Sequence, residues 1–289
     1  MPPKVLTRGG RKKKAKKRRR EDGDGAPAVA VAPAVAHPAE NGSAAVALRA
    51  KYGWETEYGD HFETSARAYA DVAGVLERMC GGSRGGARVW DPYYCDGAAG
   101  RRLRALGFSG ASNAAADFYA TDAYTGVVGR GDAAAGAFDV LATNPPYSGD
   151  HKRRCLEFAL ACERPFALLV PAYVAEKKYF ADACAAAGAA PFFLGPPRGS
   201  PEYGYDHPHG TGKRVAPFAS VWVLDSGRGA AATRCLYDAC RAAPCYAAPS
   251  APALSESLAA LAAAGVVRSA KRPNAKARKR RRKQGAEGG

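Results

Sequence analysis

The chain of 289 residues is 47% hydrophobic, which suffices for one sizeable core in the middle of the sequence. Its formal net charge of +16 comes from the two ends: residues 1–20 contain eleven Lys and Arg, residues 268–283 contain ten, and neither stretch has an acid. Residues 41–267 contain 22 basic and 22 acidic side chains and are neutral. The lack of roughly 18 consecutive apolar residues, and of an apolar signal core, argues against a membrane or secreted protein. We therefore expect a soluble intracellular protein.

Both ends of the chain are predicted to be disordered tails, over residues 1–50 and 268–289. The runs RKKKAKKRRR (11–20) and KARKRRRKQ (276–284) repel themselves and bury nothing. Each is typical of a nuclear or nucleolar address, of an arm that binds nucleic-acid phosphates, or of both; a solvated tail without a partner is the alternative. Residues 21–50 are rich in Ala, Pro, Val and Gly and resemble a linker. We expect nuclear or nucleolar localisation and contact with RNA or DNA.

The cysteines and histidines do not form a metal-binding pattern. No CxxC pair occurs, and the five histidines do not fall at zinc-ligand spacing near the cysteines. We predict no metal, and buried free thiols for the eight cysteines, which are Cys80, Cys95, Cys155, Cys162, Cys184, Cys235, Cys240 and Cys245.

Helical and strand patterns alternate through residues 51–228, the predicted globular domain. A helix is expected over 61–80, with Thr64 or Ser65 as N-cap. Because helical stretches separate most strands, we expect an α/β fold with a mostly parallel sheet and helices on both faces. The loop 195–217 has no helical pattern, so the strand after it can pair antiparallel. Strands are predicted at 87–94, 111–115, 138–143, 166–174, 191–194 and 218–224, further helices at 100–107, 156–162 and 180–187, and a helical extension at 229–267.

Two unusual turns follow predicted strands. Ligands in open α/β sheets bind beyond the carboxyl ends of the strands, so DPYYCDGAAG (91–100) and NPPY (144–147) can face one pocket. The first turn combines an acid with helix-opening glycines, which suits the polar end of a nucleotide-like cofactor; a glycine turn that only starts a helix is the alternative. Asp117 comes 20 residues after Gly97, near the distance at which a carboxylate meets ribose hydroxyls.

The NPPY turn has a chemical interpretation of its own. Two prolines fix the backbone, so the asparagine carboxamide and a backbone carbonyl can both point into the pocket as acceptors. Two acceptors that hold the hydrogens of a planar amino group would orient its nitrogen and make it more nucleophilic. The proton becomes acidic only after alkylation, so catalysis by orientation and electrostatics suffices.

Asn144-Pro145-Pro146-Tyr147 after a buried strand, with an Asp-Pro and glycine turn upstream, resembles the class I S-adenosylmethionine-dependent methyltransferases that modify amino groups. That family includes adenine-N6 methyltransferases of DNA and RNA and the glutamine methyltransferases of release factors. The resemblance covers roughly residues 60–226 and implies a Rossmann-like sheet with a final antiparallel strand and S-adenosylmethionine as cofactor. It implies that Asn144, Pro145, Pro146 and Tyr147 hold the target amine, with Tyr147 stacking, and that Phe62, Thr64, Asp91, Cys95, Asp96, Gly97, Asp117 and Asn144 line the cofactor. For Phe62 and Thr64 an ordinary helix start is the alternative.

The chain also departs from the family pattern. Its glycine turn has one residue more than DPxCGxG, and only the 28 residues 111–138 replace what is normally two strands and a helix. Asp117, Asp122 and Asp132 therefore compete for the adenosine. The loop 195–217 is the expected substrate loop, since its aromatic and basic residues suit stacking on bases and pairing with phosphates; covering a sheet edge is the alternative. The predicted substrate-binding residues are Lys152, Arg198, Tyr203, Tyr205, Lys213 and Arg214.

Methyl transfer to an exocyclic amine of a nucleic acid, with adenine N6 in RNA favoured, is the leading prediction. Methylation of a glutamine or lysine side chain is the alternative that the neutral middle favours. A catalytically inactive nuclear RNA-binding protein on the same scaffold is another, because the glycine turn is imperfect. A dehydrogenase is disfavoured, since GxGxxG is absent.

Overall fold

A six-stranded sheet with helices on both faces organises the computed structural model, which describes residues 53–54, 60–121, 123–125, 138–207 and 218–268. The expectations for the tails and for Asp122, Asp132, Lys213 and Arg214 lie outside these residues. The strands are β1 (Glu63–Thr64), β2 (Val89–Trp90), β3 (Val140–Thr143), β4 (Phe166–Pro171), β5 (Phe192–Pro197), β6 (Tyr205–Asp206), β7 (Ser220–Asp225) and β8 (Pro252–Ser255). The helices are α1 (Ala66–Met79), α2 (Ala98–Ala105), α3 (His151–Ala161), α4 (Lys178–Ala186), α5 (Ala230–Arg241), α6 (Pro244–Ala247) and α7 (Leu258–Ala263), with 3-10 turns at Phe118–Ala120 and Ala172–Glu176.

The sheet has the strand order β2-β3-β4-β7-β5-β8. Strands β2, β3 and β4 are parallel, whereas β7 lies antiparallel between β4 and β5, and β8 pairs antiparallel with β5. Four strands, β2 to β5, therefore run in one direction and end at the same edge of the sheet. The predicted α/β architecture is confirmed in this coarse form, and the strand after the 195–217 loop is antiparallel as expected. The sheet is mixed instead of mostly parallel, because three of its five strand pairings are antiparallel. β1 and β6 form a separate two-stranded antiparallel sheet.

Alternation along the central strands divides the core into two layers. In β7, Trp222 and Leu224 pack with α1, α2 and α5, whereas Val221 and Val223 pack with α3, α4 and α7. Both sides of a central strand are covered, and so all six residues of β7 are buried. Trp222 also donates its indole N–H to the carbonyl of Ala68, 3.0 Å away, which joins the sheet to α1. Helices on both faces, as the sequence predicted, hold the strand ends in fixed positions.

The first helix is shorter than its pattern suggested. It begins at Ala66 instead of near residue 61, because Glu63 and Thr64 pair with β6. Of the two predicted caps, Ser65 is the one used: its hydroxyl accepts a hydrogen bond from the Ala68 amide at 3.4 Å.

Replacing Ser65 with alanine should lower the free energy of unfolding by about 1 kcal/mol, because an amide in the first turn of α1 loses its acceptor. Urea unfolding followed by circular dichroism measures this change. Ser250→Ala, at an exposed turn, is the matched control and should stay within about 0.5 kcal/mol of the unmodified chain. Equal stability of both variants would contradict the capping role.

Two other segments differ from their predictions. The expected strand at 111–115 is reduced to one parallel bridge between Ser112 and Trp90. The chain turns away there because the Asn113 side chain donates to the carbonyls of Asp91 and Tyr93, at 3.0 and 3.4 Å. The segment 229–267 contains the expected helices α5 to α7, but it also supplies β8, which extends the sheet beyond β5.

None of the eight cysteines, all of which lie in the described ranges, forms a disulfide, and their burial varies. Cys155, Cys162, Cys184 and Cys240 are buried, Cys80 and Cys95 are partly buried, and Cys235 and Cys245 are exposed. The prediction of burial is therefore wrong for the last two, which lie on and just after the outer helix α5. Within the ranges given above, no helix has both the length and the apolar character that crossing a bilayer requires.

Candidate functional site

The two unusual turns meet at the edge where the parallel strands end. In the register of β2 and β3, Trp90 is opposite Leu141, so Asp91 and Asn144 follow neighbouring strands. The hydroxyl of Thr143 donates to the Asp91 carboxylate at 2.5 Å and joins the two strand ends directly. We call residues 91–98 the glycine turn and residues 144–148 the NPPY turn. Their adjacency agrees with the expectation that both contribute to one site.

Asp91 is a buried acid, with 3% of its surface exposed. Besides Thr143, its carboxylate accepts hydrogen bonds from the Tyr93 amide at 3.1 Å and from the Tyr69 hydroxyl at 3.2 Å. The pKa of Asp91 is raised to about 7, because burial, helped by the nearby Glu63 carboxylate, outweighs the hydrogen bonds that lower it. Asp91 therefore titrates near neutral pH at the end of β2.

Glu63, which the sequence analysis did not single out, holds the glycine turn. Its carboxylate, 7% exposed, accepts from the amides of Asp96 at 2.7 Å and Ala98 at 3.2 Å. These amides lie at the start of α2, where unpaired N–H groups favour an anion. Gly97 between them has φ of 74°, and a Cβ there would come within 3.2 Å of the Tyr94 ring. The start of α2 is thus already capped by an anion from the chain itself.

The side chain of Asn144 has an unsatisfied acceptor. Its Oδ1 atom is buried, and no group in the described part of the chain donates a hydrogen bond to it. The carboxamide oxygen therefore does not cap the NPPY turn. Such a cap would have left it unavailable to a ligand. Pro145 is buried and Pro146 partly buried, and together they provide no amide donor in the turn. Among the predicted residues, the Tyr203 hydroxyl is also buried without a hydrogen-bond partner in the described ranges, but Asn144 is the one that lies in the NPPY turn.

Tyr147 is fixed by its hydroxyl. This group lies 2.9 Å from the Tyr205 hydroxyl, which in turn donates to Ser220 at 2.7 Å. The Tyr147 ring meets Phe218 edge to face, with 5.3 Å between the ring centres. Burial raises the pKa of Tyr147 well above its ordinary value, so the hydroxyl stays protonated. The expected stacking of Tyr147 on a target amine stays a prediction.

The remaining predicted cofactor residues lie around the glycine turn or beyond it. Phe62 contacts the ring of His207 edge to face at 5.0 Å, and Thr64 is buried with its carbonyl accepting from Arg102. Asp117 caps a 3-10 turn, since its carboxylate accepts from the Tyr119 amide at 3.0 Å. Cys95 and Asp96 are partly buried within the glycine turn itself.

The predicted substrate residues separate into different environments. Tyr203 and Tyr205 are 1% and 9% exposed, and both rings pack in the core beside α1. Tyr205 lies in β6, which pairs with β1. Neither ring is therefore exposed to stack on a base, and their role in substrate binding stays a prediction. Arg198 is exposed just after β5, at the same edge as the two turns. Lys152 bends back onto the NPPY turn and donates to the carbonyls of Tyr147 and Ser148, the latter at 3.4 Å.

Asp60 is a second residue that the sequence analysis missed. Its carboxylate accepts from the amides of Tyr147 at 3.2 Å and Ser148 at 3.1 Å, and from the Ser148 hydroxyl. No spacing rule connects residues 87 and 88 positions apart, and so a single sequence contains no signal for this contact.

Two cavities lie elsewhere. One of about 840 Å³ is lined by Phe166 and Asp225 at the opposite edge of the sheet, and one of about 460 Å³ lies beside α7. Neither is lined by Asn144 or Asp91. The candidate site is instead the place where buried polar groups converge at the carboxyl ends of the parallel strands. Ligands of open α/β sheets bind at that edge.

Metal ligands are not grouped in the described ranges: no cluster of three His, Cys, Asp or Glu side chains occurs there. Comparison of the chain with protein-family models, with curated proteins and with solved structures gave no match. The functional interpretation therefore depends on the site geometry and on the sequence motifs.

Proposed function

We propose that this chain is an S-adenosylmethionine-dependent N-methyltransferase with a Rossmann-like sheet, acting on an exocyclic amine of a nucleic acid, with adenine N6 in RNA as the favoured target. The observation that carries the proposal is the buried, unpartnered Oδ1 of Asn144 beside the end of β2. Buried polar atoms nearly always have a hydrogen-bond partner, so this acceptor calls for a donor from a ligand. An amino group is such a donor.

The sheet supports the resemblance on which the proposal draws. Strand β7 is antiparallel and enters after a connection that contains no described helix between β5 and β7. A connection without a helix into a final antiparallel strand is a feature of the amino-methylating family. The NPPY turn follows β3, a strand that is buried throughout, as in that family.

The acids near the glycine turn fit a cationic cofactor. Asp91 and Glu63 are buried, and neither forms an ion pair with any Lys or Arg of the described ranges. Buried carboxylates are normally paired with a cation. S-adenosylmethionine has a sulfonium and an ammonium group, and it would supply an electrophilic methyl group. The amides at the start of α2 are already taken by Glu63, so the fit is to the cationic part of the cofactor.

The residues of the NPPY turn act by orientation. Asn144 Oδ1 and a carbonyl of the rigid Pro145-Pro146 segment would accept the two hydrogens of the target amine, which directs the nitrogen lone pair toward the glycine turn. The nitrogen would form a bond to the methyl carbon as the carbon–sulfur bond of the sulfonium breaks and S-adenosylhomocysteine leaves. The methylated nitrogen would then lose a proton to water, so no side chain has to act as a strong base. Pre-positioned acceptors of this kind typically contribute about 10²- to 10³-fold to the rate.

Transfer of labelled methyl groups into separated RNA, DNA and protein fractions tests the proposal. We expect label in RNA, and mass spectrometry of its nucleosides should identify N6-methyladenosine. Label in protein alone would favour side-chain methylation, which the neutral 41–267 region makes the second candidate. Absence of both label and cofactor binding at high micromolar concentration, measured by calorimetry, would favour a noncatalytic RNA-binding protein.

The basic ends are proposed to bind the nucleic acid. Removing residues 1–20 and 269–289 should flatten the dependence of RNA affinity on salt concentration, because fewer phosphate contacts release fewer counterions. Filter binding at several salt concentrations measures the slope. Deletion of residues 21–40, which contain no Lys or Arg and match residues 1–20 in length, is the control and should keep the original slope. An unchanged slope after removal of both ends would disprove the assignment.

A further inference from the structure

The NPPY turn is held from outside by two charged side chains. Asp60 accepts hydrogen bonds from the amides of Tyr147 and Ser148 and from the Ser148 hydroxyl. Lys152 donates to the carbonyls of the same two residues. Every backbone polar group of this dipeptide is therefore bound to a charged group.

The turn needs such support because its own backbone provides little. Pro145 and Pro146 have no amide hydrogen, and residues 144–148 belong neither to β3 nor to α3. Hydrogen bonds to charged groups are roughly twice as strong as neutral ones, so they can fix a short irregular segment. Burial lowers the pKa of Lys152 below its ordinary value, and the nearby carboxylates of Asp60 and Asp150 oppose this shift only in part.

We propose that Asp60 is a positioning residue for the NPPY turn and that Lys152 is its counterpart, instead of a contact for substrate phosphates. The expected effect of Asp60 on catalysis rests on the proposed function, since the turn orients the target amine only if the chain transfers methyl groups. Asp60 lies three residues before Glu63, which holds the glycine turn. One segment, residues 60–64, thus contacts both turns of the site.

The Asp60→Asn variant tests the proposal with two independent measurements. Asparagine keeps the size and one acceptor but loses the charge, so we expect the amides of Tyr147 and Ser148 to exchange hydrogen about tenfold faster or more, as measured by NMR. We expect kcat to fall by about tenfold or more, with cofactor affinity within about twofold. Asp182→Asn is the matched control, because Asp182 is exposed on α4 and its carboxylate pairs with Lys178, away from the NPPY turn.

Each outcome decides the question. Faster exchange at both amides with a lower kcat, while Asp182→Asn changes neither, would support the proposal. Unchanged exchange or an unchanged kcat would overturn it. If the chain transfers no methyl group at all, the proposed function fails, and the exchange rates alone then decide whether Asp60 holds the turn. Should Asp60→Asn not fold, Ser148→Ala replaces it: this variant removes the hydroxyl bond only, and a kcat equal to that of the unmodified chain would then count against the proposal.

Lys152→Met separates positioning from phosphate binding. Loss of a positioning contact should lower kcat and leave the salt dependence of RNA affinity unchanged. Loss of a phosphate contact would instead lower that slope by about one, in the log–log plot, with kcat preserved at saturating RNA. The second result would return Lys152 to a substrate-binding role and refute its assignment here.

Discussion

Replacing Asn144 with alanine should lower methyl transfer by about 10²- to 10³-fold or more, because the buried acceptor that orients the amine is lost. Affinity for S-adenosylmethionine should stay within about twofold, since Asp91 and Glu63 are unchanged. Single-turnover methylation and calorimetry measure the two quantities. An alanine variant that remains fully active would contradict the role of Asn144.

The same substitution should have an unusual effect on the free energy of unfolding. An unpaired buried polar atom costs about 1–3 kcal/mol, so removing Oδ1 should leave the free energy of unfolding unchanged or raise it. Asn144→Asp is the matched variant, because it keeps an acceptor of the same size, and it should retain measurable transfer. A stable but inactive Asn144→Ala protein would be the pattern expected of a functional site. A large loss of stability would instead indicate that Oδ1 has a structural partner.

The second large effect concerns the pH dependence of Asp91. Burial raises the pKa of this carboxyl from 3.8 to about 7, so the folded protein holds the proton more tightly than the unfolded chain. Its contribution to the free energy of unfolding therefore falls as pH rises from about 4 to about 7 and is constant above. The difference corresponds to on the order of 4 kcal/mol. Urea unfolding of the unmodified chain and of Asp91→Asn should be measured between about pH 4 and pH 7. The difference between the two free energies of unfolding at each pH is the contribution of the Asp91 carboxyl.

The pH dependence of cofactor binding should be opposite to that of stability. A cationic ligand beside Asp91 favours the ionised carboxylate, so cofactor affinity should rise with pH and level off above about 7. Calorimetry in two buffers of different ionisation enthalpy should detect proton release near pH 6. Asp139→Asn is the control: Arg88 lowers the pKa of Asp139 on the outer surface, so this variant should leave affinity unchanged between pH 6 and 8. A pH-independent affinity of the unmodified chain would show that Asp91 does not face the ligand.

The parts of the site that depend on strand ends could be predicted from the sequence. Asp91 and Asn144 both follow apolar strands, and parallel pairing brings such positions together. Asp60 and Glu63 could not be predicted, because their partners lie 87 and 33 residues away and no local pattern encodes a carboxylate that caps a distant turn. For the same reason the pattern gave no sign that Glu63, instead of a ligand, binds the start of α2.

The segments whose structure was predicted wrongly have a common physical feature: they form strands only through short pairings with distant parts of the chain. β1 and β6 contain two residues each, too few for a period-2 pattern, and their pairing moved Tyr205 from an expected surface loop into the core. β8 was missed because Pro252 and Ala253 have low strand propensity, and only its contact with β5 makes this segment a strand. In each case tertiary contacts overrode local preference.

The position of β7 has a consequence for synthesis of the protein. This strand lies between β4 and β5, yet it follows both along the chain. A nascent polypeptide that has left the ribosome only as far as β5 therefore has an open slot in its sheet, with unpaired backbone edges on two apolar strands. Insertion of β7, which places Trp222 in the core, is the step that would pair both of these edges.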